Sequence, residues 1–337
     1  MPKFVALCAE GLEDILIEDL KQYDSRTFKK YKGLVIFNFD GDPKHLPRIK
    51  TADDILLLIT TFKGITRYKK SLQSIREQTA KSDIDAALSI ISQIRGFTNN
   101  YYINASYVGR RDYKSGEIEG AVQDGILKNH VWEPGEELLF RPILRPDVSL
   151  LGISILDVPL HIKNRLLETV PGSIKSSIAV SLLKIANANP EDTLLDPMCG
   201  SGIIPIEAQD IVREAMGIDI DENIINSANI NAGEKDVNVK FIKGDSTKIK
   251  LGEKVTKIVS NLPFDKQVKV KDVDKFFSKL LEHMVDVTTE QAVFVFLTRQ
   301  PKILIKETKK HELKKDKELK IKYSGIDAVI LKFSKNN

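Results

Sequence analysis

Cysteine is scarce in this chain. Cys8 and Cys199 are the only two among 337 residues, and they lie far apart. That count excludes a disulfide framework and a four-cysteine zinc site. The five histidines show neither an HExxH pattern nor paired-ligand spacing, so no metal is implied. Long apolar runs are also missing. The longest near the middle, Ile55–Ile59, is far short of the ~20 residues that a membrane-spanning helix needs. The stretch MPKFVALCAEGLEDILIEDL lacks the apolar core of a secretory signal and soon carries acids. These absences predict a reduced, cytoplasmic protein. A GxGxxG fingerprint is absent too, which argues against a nicotinamide-dependent oxidoreductase.

What is present has a globular balance, with 42% hydrophobic and 29% charged residues. The length suits two or three domains with a substantial core. A net charge of +4 permits a nucleic-acid partner without demanding one.

The first 60 residues read as strand, helix, strand and helix. KFVALCA is a short apolar run, and Leu12, Ile15, Leu16 and Leu20 share one helical face. GLVIFNFDG is strand-like, whereas DDILLLITTF fits either a helix or a strand. Residues 63–160 follow. DIDAALSIISQI has helical spacing, NYYINASYVG alternates as a half-buried strand does, and RPDVSLLGISIL is strand-like. Residues 161–175 read as a linker. From 176 onward strands and helices alternate regularly: TLLD, AMGIDI, VKFIKGD, KIVSNLPF and QAVFVFLT are strands with helical segments between them. That pattern predicts a parallel α/β sheet covered on both faces, closed by the strand pair ELKIKYSG and DAVILKFS.

The densest stretch is LLDPMCGSG, Leu194–Gly202. Gly200 and Gly202 let the backbone turn tightly and approach a ligand, at a strand end where open α/β sheets bind ligands. Asp196 repels a pyrophosphate but attracts a cationic amine or sulfonium. Asp219 ends the next strand, where an acid suits ribose hydroxyls, with Asp221 as its rival. Asp245 ends the third, where a carboxylate suits an adenine amino group. Each acid alone also fits a helix cap or a solvated loop. The fourth strand end is SNLPF. Asn261 offers an amide acceptor, Leu262 a carbonyl, Pro263 stiffens the turn, and Phe264 offers a stacking face. Taken singly, this too is a proline turn capped by a core aromatic.

In this order and spacing, LLDPMCGSG, GIDID, KGDS and NLPF resemble the Rossmann-like methyltransferases that use S-adenosyl-L-methionine. The upstream YKSGEIEGAVQDGI and LRPDVSLLGISIL resemble a THUMP RNA-binding domain, and residues 1–62 fit the ferredoxin-like domain that precedes it. The combination is similar to the THUMP-containing tRNA guanine-N2 methyltransferases. The resemblance implies a C-terminal Rossmann-like domain over 176–337 with a mostly parallel seven-stranded sheet, preceded by α+β domains over 1–62 and 63–160. It implies that Asp196, Gly200 and Gly202 line the methionine moiety. Asp219 would hold the ribose, and Asp245 and Ser246 would meet the adenine, with Met198 and Ile220 also at the cofactor. Asn261, Leu262, Pro263 and Phe264 would form the target-base pocket, with Asn261 also beside the cofactor. It further implies methylation of a guanine in tRNA, at acceptor-stem position 6 or next at position 10 at the base of the D-arm. The THUMP module would grip the tRNA 3′ end, and the protein would act as a monomer. One departure stands out: Asp265 and Lys266 follow Phe264, where related enzymes commonly have a glycine.

Arg110 and Arg111 with Tyr113 and Lys114 form a basic-aromatic cluster suited to RNA, and equally to a solvated turn. Lys163, Arg165 and Lys266 are further RNA candidates. Cys199 reads as a packing residue in its loop. The alternatives are methylation of another RNA nitrogen (rRNA guanine N2 or adenine N6) and a non-catalytic THUMP RNA-binding protein.

Overall fold

The computed structural model describes residues 2–263 and 273–335. Phe264, Asp265 and Lys266 therefore lie outside the described residues. The chain divides into two compact units, Met1–Cys8 with Leu16–Lys163, and Ala9–Ile15 with Asn164–Asn337.

The elements that lead into and build the first unit are β1 (Lys3–Leu7), α1 (Glu13–Leu20), β2 (Ser25–Tyr31), β3 (Leu34–Phe39), β4 (Asp54–Thr61), α2 (Lys70–Ala80), α3 (Ile84–Ile94), β5 (Asn100–Ile103), β6 (Ser106–Tyr107), α4 (Ser115–Ile126), β7 (Glu133–Pro134), β8 (Leu138–Leu144), β9 (Ser149–Ser154) and α5 (Leu160–Lys163). They form one nine-stranded sheet, ordered β2-β3-β1-β4-β9-β8-β5-β7, with β6 on β8. The β4–β9 pairing, Leu56 opposite Ser154 and Leu57 opposite Ile153, makes residues 1–62 and 63–160 share that sheet. DILLLI is a strand because β4 lies between β1 and β9 and is apolar on both faces. Phe4, Val35, Phe37, Ile55 and Leu57 join the main core with Ile75, Ile91 and Val122 from the helices. Their alternates Val5, Leu34, Ile36 and Leu56 build a smaller cluster with Ile143 and Leu150. The strand β2 carries no expectation from the sequence, because SRTFKKY is a polar edge strand without apolar alternation.

The second unit contains α6 (Ser176–Ile185), β10 (Thr193–Asp196), α7 (Ile203–Ala208), β11 (Glu214–Asp219), α8 (Glu222–Glu234), β12 (Lys240–Lys243), β13 (Val255–Asn261), α9 (Val273–Asp286), β14 (Thr288–Thr298), α10 (Pro301–Lys310), β15 (Leu313–Tyr323) and β16 (Ile326–Lys335). Its seven-stranded sheet runs β12-β11-β10-β13-β14-β16-β15. Neighbours from β12 to β14 are parallel, but β16 is antiparallel to both β14 and β15. The sheet is thus mixed: parallel from β12 to β14 and closed by the antiparallel strands β16 and β15. The tight turn through Ser324 and Gly325, both at positive φ, forces a hairpin, and hairpins pair antiparallel. Chain order reverses between β10 and β13, the crevice where such sheets bind ligands. No helix among the described residues is long and apolar enough to cross a membrane.

Candidate active site

The strand β10 delivers Asp196 to this crevice. Leu194 and Leu195 are fully buried, so the strand is fixed and its last residue is presented at the sheet edge. Asp196 is itself 1% exposed. Its Oδ1 accepts from Ser260 Oγ on β13 (2.6 Å) and from the Met198 backbone N–H (3.1 Å). Burial pushes its carboxyl up to about 7, against the lowering effect of those two hydrogen bonds and with a further rise from Asp219.

The loop after β10 closes because glycine occupies its left-handed positions, φ 52° at Gly200 and 86° at Gly202. A Cβ on Gly202 would stand 2.6 Å from the Phe241 ring. Three further bonds tie the loop down: Cys199 N–H to the Ile218 carbonyl (2.9 Å), Gly200 N–H to Asp219 Oδ2 (3.2 Å), and Ser246 Oγ to the Pro197 carbonyl. The Cys199 thiol is held well above its ordinary range by burial and by the carboxylates of Asp196 and Asp219. It therefore stays a thiol, in keeping with packing rather than nucleophilic chemistry.

A cavity of about 440 Å³ opens beside this loop. Asp196, Met198, Gly200, Asp219, Ile220, Asn261 and Pro263 line it together. Gly202, Asp245, Ser246 and Leu262 do not line it. Gly202 is the buried N-cap of α7, and Leu262 is wholly buried with its N–H on the Leu297 carbonyl (2.9 Å). Asp245 binds Thr247 through backbone and hydroxyl (3.0 and 2.7 Å) and pairs with Lys248 at 3.4 Å. Burial raises its pKa, yet these partners outweigh burial and hold it below the ordinary value.

The sequence reading missed the far wall. Val170, Pro171, Gly172 and Ser173, taken as linker, also line the cavity. Ser173 Oγ meets Ser201 Oγ at 3.0 Å. The fully buried Asn231 on α8 holds this strap: its Oδ1 accepts from Glu168 N–H (2.8 Å), and its Nδ2 donates to the carbonyls of Glu168 (2.8 Å) and Ser201 (2.9 Å). The Gly172 carbonyl in turn accepts from Asn261 Nδ2 at 3.0 Å. Asn261 Oδ1 is buried and has no hydrogen-bond partner among the described residues. An orphaned buried acceptor costs about 1–3 kcal/mol, so it calls for a donor that the described residues do not supply.

Residues 164–328 match a family model described as UPF0020, the RMKL-like methyltransferase domain. This unit is a methyltransferase domain. SMU.472, a putative methyltransferase solved in complex with SAH, shares the fold over 100% of this chain and 98% of that one, with a TM-score of 0.76 at 16% identity. The chain is 19% identical to the tRNA (guanine(6)-N2)-methyltransferase of Archaeoglobus fulgidus, over 98% of this chain and 92% of that one. It is 22% identical to the enzyme of the same name from Methanocaldococcus jannaschii, over 97% and 98%. The crystal structure of TrmN from Thermus thermophilus shares the fold over the full length of both chains, with a TM-score of 0.81 at 18% identity.

The methyltransferase domain fits the cofactor chemically. Each Asp219 oxygen takes one backbone N–H, from Gly200 and from Asp221 (3.1 Å), leaving acceptor capacity for a diol. Ile220 is 71% exposed at the cavity and offers an apolar face. No group of three or more metal-ligating side chains occurs among the described residues.

The RNA candidates are scattered. Arg110 and Lys114 are exposed. Arg111 is engaged within the protein: it donates to the Thr66 carbonyl (3.1 Å) and to Tyr113 Oη (2.8 Å) and lies over the Tyr113 ring. Lys163 ends α5 in the first unit, and Arg165 is exposed in the second.

Proposed function

We propose that this protein methylates the exocyclic N2 of a guanine in tRNA, at acceptor-stem position 6 in preference to position 10. The observation that carries the reading is Asn261. Its amide nitrogen is committed to Gly172 and its buried oxygen has no partner among the described residues, so it is a fixed acceptor awaiting an N–H donor. The two full-length relatives that carry the guanine(6)-N2 name support the base and the position.

When bound, S-adenosyl-L-methionine supplies an activated methyl group on a sulfonium. The chain's own residues do the rest. Asn261 Oδ1 accepts one N2 hydrogen and turns the nitrogen lone pair out of the ring plane. Pro263 stiffens the turn that carries Asn261. Phe264 stacks on the base in this reading. The N2 proton leaves to solvent after the new bond forms, so no strong general base is required. Asp219 holds the ribose and the strap closes the opposite wall. A stem guanine must be flipped out to reach this depth, at a cost of a few kcal/mol.

In this reading, residues 63–160 form a THUMP module that grips the tRNA 3′ end, residues 1–62 its ferredoxin-like companion, and the protein works as a cytoplasmic monomer. The test is transfer of labelled methyl to unmodified tRNA transcripts followed by nucleoside analysis and mapping. N2-methylguanosine at position 6 is expected. Label on adenine N6, or on no RNA, would overturn it.

A further inference from the structure

The first unit contains a cavity of about 530 Å³, larger than the one at the methyltransferase site, and no chemistry described so far uses it. It sits on the sheet face that carries the small apolar cluster of Val5, Leu34, Ile36 and Leu56. Its walls combine three kinds of group. Ile36, Leu58 and Val148 are apolar, with the half-buried ring of Tyr31 beside them. Thr27, Asn38, Thr61, Thr66 and Ser149 bring hydroxyls and an amide. Lys3, Lys29 and Arg145 bring three cations against one carboxylate, Asp147. None of these three cations forms a salt bridge among the described residues.

The backbone at this place is specialised. Thr27 has φ 57°, a left-handed conformation that a β-branched residue rarely accepts. It lies in a bulge of β2, where Arg26 pairs with Asn38 and Lys29 already with Ile36. Bulges re-aim side chains, and strained residues gather where ligands bind.

We propose that this cavity binds an unpaired nucleotide of the RNA substrate, with its phosphate against Lys3, Lys29 and Arg145 and its base on the Tyr31 wall. The inference rests on the RNA-modifying reading above. The volume falls in the range of sites for small organic ligands and far exceeds what an inorganic phosphate fills. Convergent cations beside an aromatic ring match the chemistry of single-stranded nucleic acid.

The test is direct binding of a fluorescent unmodified tRNA transcript, which needs no methyl transfer. The full-length protein is compared with Lys3→Ala, Lys29→Ala and Arg145→Ala, singly and combined, and with Tyr31→Leu. Each lost cation is expected to lower the salt slope of binding by about one unit. Tyr31→Leu is expected to weaken binding about fivefold or more with the slope unchanged. Lys314→Ala, Lys317→Ala and Lys320→Ala together, all exposed on β15, remove the same charge and serve as control. Native circular dichroism and an unchanged melting temperature show that each variant is folded. Equal losses in the cavity and control triples, or native affinity in all cavity variants, overturn the proposal and leave the guanine-N2 reading standing. Adenosine monophosphate binding that the triple variant loses while its RNA affinity stays native overturns it in favour of a free-nucleotide site. Methylation of a different base by a protein whose cavity variants lose RNA affinity overturns only the guanine reading.

Discussion

Replacing Asn261 with alanine separates stability from catalysis. Among the described residues the side chain makes one hydrogen bond, Nδ2 to the Gly172 carbonyl at 3.0 Å, while Oδ1 is buried without a partner. Losing the bond costs about 1 kcal/mol net, and removing an unsatisfied buried oxygen returns an amount of the same order. The two nearly cancel, so the melting temperature should move by no more than about 4 °C. Transfer is another matter. Removing one preorganised partner of the reacting group costs about 10²–10³ in rate. Single-turnover transfer to saturating tRNA would measure that loss, with calorimetry reporting cofactor affinity alongside. Asn261→Asp keeps an acceptor but sets a carboxylate oxygen against the Gly172 carbonyl. It should also fail, because the oxygen is then no longer held in place. Turnover of the alanine variant within about fivefold of native would refute the assignment of Asn261 as the acceptor that orients the amine.

Two further outcomes follow from buried polar groups. Asp196 holds its proton in the folded state up to about pH 7, whereas an unfolded aspartate loses it near its ordinary value of 3.8. The folded state therefore binds the extra proton between those values, and stability falls as pH rises through that window and levels off above it. Asp196→Asn should raise the melting temperature of the ligand-free protein at pH 8, by up to a few kcal/mol of stability, and have little effect at pH 4. Parallel pH–stability curves for the two proteins would contradict this account. Asn231→Ala leaves Glu168 N–H and the carbonyls of Glu168 and Ser201 without their partner. About 3–5 kcal/mol of stability should be lost, together with cofactor affinity as the strap comes loose, and thermal melts with calorimetry would show both. A loss below about 1 kcal/mol would mean that solvent replaces those bonds.

Periodicity read the second unit well because its strands are buried and its helices amphipathic. DDILLLITTF was ambiguous because a strand covered on both faces has no alternation to read. SRTFKKY and the lysine-rich KILIKETKK hid β2 and α10 behind polar composition. The strap at 170–174 read as linker because it has no regular structure of its own.

The sequence by itself determined the loop after β10 and its companions. A turn that needs positive φ beside a closely packed ring admits only glycine at Gly202, and acids at successive strand ends are visible in the order of the chain. Only the tertiary structure decided what faces them. Asn261 is fixed by a carbonyl 89 residues away, and Asn231 joins Glu168 and Ser201 across 63 and 30 residues. The cations of the first-unit cavity come from two strands and a turn that the sequence does not place together. Such pairings depend on which surfaces the packed elements bring into contact, and local pattern carries no record of that.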